Sequence, residues 1–148
     1  MNIRLAQSGD KERVLEMAQN FYSVSGYEEH IPFDRETCAD LFDTSMSMGL
    51  CSVAEDHEIV GFVLGIAAPA LMNKNYLMGC ELAWWVEPAY RGHVGIDLLK
   101  QIEDSARKLG LRMWSMVALE TQNPEMVEKI YLDSGYTKTE RTYTMRLH

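Results

Sequence analysis

The chain has 148 residues, one domain's worth, and its 47% hydrophobic and 24% charged residues are a globular rather than a disordered mix. Four prolines and ten glycines are too few for a collagen-like or linker protein. With 14 Lys+Arg against 22 Asp+Glu the net charge is −8, and the absence of any local basic patch argues against nucleic acid as a partner.

The first run, Asn2 to Gln7, alternates Ile3 and Leu5 with polar neighbours and is expected as a short strand. Ser8 is the candidate cap for a helix carrying Val14, Leu15, Ala18, Phe21 and Tyr22 and ending at Gly26. A polar loop with Pro32 leads to a second cap, Asp34, then Cys38, Leu41, Phe42 and Met46 at helical spacing as far as Gly49. The period then changes. Leu50–Glu55 and Glu58–Ala68 are β-type runs rich in Val and Ile, joined by a tight turn at Asp56–His57. Met78–Val86 is a further strand. Helical spacing returns from Gly95 through Leu98, Leu99, Ile102, Ala106 and Leu109, with Arg107 and Lys108 complementing the helix dipole before Gly110. Arg112–Leu119 reads as a strand, Pro124–Ser134 as a helix closed by Gly135, and Tyr136 to about Leu147 as a terminal strand pair.

This order, without repeat or linker, predicts a single mixed α/β domain over residues 1–148. The longest uncharged run, Ile59 to Met72, is shorter than the roughly 18–20 residues of a membrane span. It reads as a buried strand, so no membrane partner is expected. The early charges Arg4, Asp10 and Lys11 do not fit a signal peptide. Three separated cysteines (Cys38, Cys51, Cys80) without a C-x-x-C pair suggest free thiols in a cytoplasmic protein. The four histidines are scattered, and no metal is expected.

The chemistry concentrates in Glu81–Leu99, ELAWWVEPAYRGHVGIDLL. It reads as a strand, a proline turn, a glycine-bearing basic loop and an amphipathic helix. A helix start offers free N–H groups and a positive dipole end, and glycine lets successive amides approach an anion. Arg91 and a protonated His93 add charge at the mouth of such a phosphate cradle.

The pattern V-x-P-x-Y-R-G at Val86–Gly92, followed by Leu98-Leu99, resembles the acyl-coenzyme A loop of the GCN5-related N-acetyltransferases (GNAT). The stretch NPEMVEKIYLDSGY, Asn123–Tyr136, resembles that family's penultimate helix, with Ile130 where an aromatic residue is usual. The order of elements matches as well, so the resemblance spans essentially the whole chain. It implies a central, mostly antiparallel sheet with splayed parallel strands and about four helices. It also implies acetyl-coenzyme A (acetyl-CoA) as co-substrate, held by Trp84, Val86, Arg91, Gly92, His93, Val94, Gly95, Ile96 and Asn123. The loop departs from the family's Gln/Arg-x-x-Gly-x-Gly/Ala: without a gap, Val94 and Ile96 stand where glycines belong. A loop one residue shorter brings Val94, Gly95 and the leucine pair into register and keeps the leucines on the core face.

The resemblance further implies acetyl transfer to a primary amine by direct attack, catalysed by Tyr131 as general acid toward the departing thiolate. The backbone near Trp84–Val86 is expected to serve the oxyanion. For the base, Glu81 is the first candidate, directly or through water, with Glu87 and Glu120 as rivals. Cys80 suggests an acetyl-cysteine route, but Glu81 points to the opposite strand face, and a core-filling cysteine is expected. Trp84 and Trp85 fall on opposite faces, so at least one belongs in the core. Residues 21–49 hold six acids (Glu28, Glu29, Asp34, Glu36, Asp40, Asp43) against one base, Arg35. That segment is either a solvated helix face or a lip that concentrates a cationic acceptor such as a lysine side chain, a polyamine or a small-molecule amine. A homodimer joined at strand edges fits the family resemblance. The alternative is a non-catalytic protein on the same fold, a partner-binding module or an acetyl-CoA sensor.

Overall fold

A computed structural model describes residues 1–148. The strands are β1 (Asn2–Leu5), β2 (Cys51–Asp56), β3 (Glu58–Ala70), β4 (Asn73–Val86) and β5 (Met113–Ser115), and the helices are α1 (Lys11–Val24), α2 (Arg35–Ser47), α3 (His93–Lys108) and α4 (Pro124–Asp133). They form one five-stranded sheet in the order β1-β2-β3-β4-β5, antiparallel except for the β4–β5 pair. This is the mixed architecture expected from the sequence.

The strands alternate side chains between two faces, and each face has its own core. Val53, Ile59, Phe62 and Leu64 pack with Val14, Leu15 and Met17 of α1 and Phe42 of α2. Ala54, Val60, Val63 and Val86 pack on the other side with Leu98, Leu99 and Ile102 of α3 and Tyr131 of α4. Burying each of the larger side chains contributes about 1.5–3 kcal/mol. The tryptophan pair obeys the same alternation: Trp85 joins the α1–α2 side and Trp84 the α3–α4 side.

Asp34 caps α2 by accepting the Thr37 amide at 2.9 Å. At α1 the expected cap, Ser8, lies inside a short 3₁₀ turn (Ser8–Asp10). The Asp10 carboxylate accepts the Gln7 amide at 2.8 Å and is clamped by Arg4 at 2.7 Å. That ion pair makes Asp10, not Ser8, the residue that fixes the entry to α1.

The structure corrects three boundaries. β3 and β4 run on beyond Ala68 and before Met78 into one long hairpin, closed by the exposed pair Leu71–Met72. The strand expected over Arg112–Leu119 is only Met113–Ser115, because the chain then leaves β4 and other groups take over its backbone hydrogen bonds. The terminal strand pair is absent. Residues 136–148 contain no strand, and Tyr143, Met145 and Leu147 are exposed. The sheet edge at β5 is three residues long, too short a ladder to hold an alternating tail.

Two glycines shape the β4–β5 end. Trp114 lies across β3 and β4, and a Cβ at Gly65 would collide with its ring and with the Cys80 carbonyl. At Gly79 a Cβ would stand 2.8 Å from Leu111 Cδ1 and 3.0 Å from Trp114 Cε3. Only the missing side chains let the indole lie flat on the sheet.

Candidate active site

The parallel ladder between β4 and β5 pairs Met78–Cys80 with Met113–Ser115 and then stops. Continued in register, it would bring Leu82 beside Val117. Instead β4 bulges at that point: Leu64 faces Ala83 while Gly65 faces Glu81, leaving Leu82 as the extra residue. The strands part as a fork.

In an extended chain the N–H and C=O of one residue point to the same side. At Val117, where the ladder would have continued, side chains take both groups. The Glu81 carboxylate accepts the Val117 amide at 3.1 Å, and the Tyr131 hydroxyl donates to the Val117 carbonyl at 2.6 Å. The two residues singled out as base and acid thus meet on one backbone residue at the fork. Nothing in the side chain of Val117 marks it, so the sequence carries no signal for its part.

Glu81 is 6% exposed. Burial pushes its pKa up to about 7, and only the Val117 amide works against that rise. Tyr131, brought in by α4, is also buried, its ring centroid 5.8 Å from Trp84 and 5.6 Å from Tyr136. Burial, then the Glu81 and Tyr136 charges, push the phenol well above its ordinary range, so it keeps its proton at any working pH. Cys80 is pushed up by burial and then by Glu81, which disfavours the thiolate that an acetyl-cysteine route needs. Glu87 is ion-paired to Arg13 at 3.3 Å, and Glu120 is exposed after β5.

Above the fork, β4 ends at Val86 and the turn Pro88–Tyr90 leads to Arg91. The Arg91 Nε donates to the Val86 carbonyl at 3.0 Å, and its guanidinium lies 4.7 Å from the Trp85 ring centroid. The head group therefore lies against Trp85, on the α1–α2 side of the sheet, while its backbone leads through Gly92 into α3. Gly92 precedes that helix at φ 129°, a conformation suited to glycine alone, and no side chain caps the helix. No acid sits in the first turn, so its amides remain free for an anion. His93 is exposed, Val94 and Ile96 are half-buried, and Gly95 is buried. A Cβ on Gly95 would come within 3.2 Å of the Trp84 ring. Leu98 and Leu99 face the core. Trp84 thus packs between Gly95 in the first turn of α3 and the Tyr131 ring. Asn123 stands apart, as the left-handed residue before α4, with Nδ2 3.8 Å from Met126 Sδ.

Of the acidic segment, Asp34 serves as a cap and Asp43 pairs with Lys11 at 2.7 Å. Glu28 and Glu29 are exposed and line a hollow of about 330 Å³ with Ser23 and Gly26. Gln122 ties this end of α1 to the loop beyond β5, donating to the Val24 carbonyl at 3.0 Å. No three His, Cys, Asp or Glu side chains are grouped to hold a metal, and no helix is long and apolar enough to cross a membrane.

The model of the acetyltransferase (GNAT) family matches residues 12–129. The chain belongs to the GNAT family. Solved structures share the GNAT fold over nearly their full length. A ribosomal-protein-alanine N-acetyltransferase from Brucella melitensis is 18% identical at a TM-score of 0.72, covering 99% of this chain and 100% of that one. An aminoglycoside 6′-N-acetyltransferase from Acinetobacter haemolyticus is 16% identical at 0.71, covering 100% and 99%. A predicted acetyltransferase from Clostridium acetobutylicum, solved with acetyl-CoA, is 18% identical at 0.73, covering 97% and 94%. No curated protein gives a significant sequence match. Acetyl transfer is the activity of this GNAT family, and acetyl-CoA is the co-substrate it uses.

Proposed function

We propose that this GNAT protein transfers an acetyl group from acetyl-CoA to a cationic primary amine by direct attack in a ternary complex. The observation that carries the reading is the buried Tyr131 phenol, bonded at the fork to the same residue that Glu81 holds, below the uncapped start of α3.

The uncapped first turn of α3 and the open space at Gly92 suit a diphosphate, and the exposed Arg91 precedes Gly92 directly. Arg91, Gly92, His93, Val94 and Gly95 would hold that group, with Ile96 and Asn123 at its margins, and the backbone from Trp84 to Val86 would align the arm. Acetyl-CoA supplies an acyl group activated as a thioester. Glu81 takes the proton of the incoming ammonium, directly or through water, and a pKa near 7 is well matched to that task. Tyr131 gives its proton to the departing sulfur, a contribution worth about 10²–10⁴-fold in rate. Holding amine and thioester side by side supplies much of the remainder. The exposed pair Glu28 and Glu29 favours a positively charged acceptor.

The test is thiol release over a panel of lysine peptides, polyamines and small amines, with calorimetry of acetyl-CoA binding. Tyr131→Phe should lower turnover about 100-fold or more while coenzyme affinity stays within a few-fold. Tight binding without thiol release from any amine would make the protein a sensor. No binding would make it a partner module.

A further inference from the structure

We infer that Glu81 latches the fork between β4 and β5, and that coenzyme entry opens this latch with uptake of a proton by its carboxyl. The inference rests on the acetyltransferase reading, since it concerns the arm that this reading aims at Tyr131.

The latch is visible in the hydrogen bonding. The β4–β5 ladder ends at Cys80–Ser115, and across the gap the one connection from β4 is the Glu81 carboxylate on the Val117 amide. That amide is its one hydrogen bond, and no arginine or lysine pairs with it. The neighbouring groups cannot balance its charge. β3 presents Gly65 opposite it, α4 presents the Tyr131 phenol, and its own strand presents the Cys80 thiol. Both titratable neighbours are neutral at working pH, because burial pushes each of them up.

An extended arm anchored at the start of α3 and directed to the Tyr131 hydroxyl arrives at Val117, whose carbonyl Tyr131 holds and whose amide Glu81 occupies. Entry therefore displaces the carboxylate from its single donor and closes the site further against water. Both changes favour the neutral acid. The carboxyl already stands near 7 in the free protein, so this shift falls within the ordinary working range. It also sets two demands against each other. Coenzyme binding favours the protonated carboxyl, whereas deprotonating an amine needs the ionised one.

The experiment is calorimetry of acetyl-CoA and of dephospho-coenzyme A at pH 7.5, in two buffers of different ionisation enthalpy. The second ligand lacks the phosphate monoester that itself titrates near pH 6. We expect uptake of about half a proton with both ligands, and an affinity that falls three- to tenfold between pH 7 and 8.5. Glu81→Gln should bind with no such uptake and little pH dependence. Wild-type binding without proton exchange, or with release, overturns the latch and leaves the acetyltransferase reading standing. Absence of binding to either ligand overturns that reading and the latch with it. If Glu81→Gln does not fold, the wild-type measurement with dephospho-coenzyme A decides alone.

Discussion

Replacing Glu81 by Gln should change the stability of the fold in a way that depends on pH. The carboxyl stands near 7 in the folded chain against an ordinary 4.5, because burial penalises its charge more than the Val117 amide compensates. An acid whose pKa is raised by folding favours the folded state while protonated and opposes it once ionised. The contribution is therefore full below about pH 4.5, is lost as pH rises toward 7, and is constant above that. Over that window the wild type loses about 3 kcal/mol at this site. Glutamine keeps the shape and can still accept from Val117, but it adds a buried NH₂ whose unmade hydrogen bonds cost about 1–3 kcal/mol. The variant should thus be less stable than wild type near pH 5 and equal or more stable at pH 8. Urea unfolding at several pH values between 5 and 8.5 measures the difference, and its slope is more diagnostic than its sign at any one pH. A difference constant across this range would show that Glu81 is solvated and would remove it from the buried fork.

Other outcomes follow from single contacts. Tyr131→Phe keeps its ring contacts with Trp84 and Tyr136 and loses only the bond to Val117, so urea unfolding should show a loss of about 1 kcal/mol against the much larger kinetic effect. Arg91→Ala should weaken acetyl-CoA binding about tenfold by calorimetry, the scale of one charge-assisted hydrogen bond, with a small change in Tm. Gly65→Ala places a methyl group against Trp114 and the Cys80 carbonyl and should cost about 1–3 kcal/mol or more in urea. Arg4 holds the Asp10 carboxyl below its usual range, so the stability from this pair is present above the unfolded pKa near 4 and is lost as pH falls through the folded value. Asp10→Asn should accordingly destabilise by about 1–3 kcal/mol at pH 7 and by progressively less as pH falls below about 4, measured in urea.

The elements legible in the sequence are those whose pattern is local. The leucine pair of α3, the Asp34 cap and the Val-rich alternation of β2 and β3 each carry their own period or cap, and the structure buries or bonds them accordingly. The tail shows the limit of such signals. Tyr143, Met145 and Leu147 alternate as a strand would, but alternation becomes a strand only where a partner edge exists, and β5 offers three residues. Arg112–Leu119 fails for a different reason. Its first half pairs with β4, while at Val117 the ladder is replaced by Glu81 and Tyr131, which lie 36 residues before and 14 residues after it. No window along the chain contains that information.

The same fact explains why the two halves of the site are separate signals in the sequence. Glu81 was marked by its place on a strand and Tyr131 by a helical motif, and nothing in either segment refers to the other. What joins them is a residue whose side chain is irrelevant, because Val117 contributes only an amide and a carbonyl. A regular sheet would have used both groups in the β4–β5 ladder, closing the strands together. Diverting them to an acid and a phenol leaves the strands bridged by side chains instead of paired, and those side chains must be buried, one of them at a cost whenever it is ionised. On the proposed reading, that cost is tolerated because the open fork leaves room for a thioester arm beside a proton acceptor and a proton donor. On that reading, a variant selected only for stability near pH 8 should carry an uncharged residue in place of Glu81 and should lose acetyl transfer as it does so.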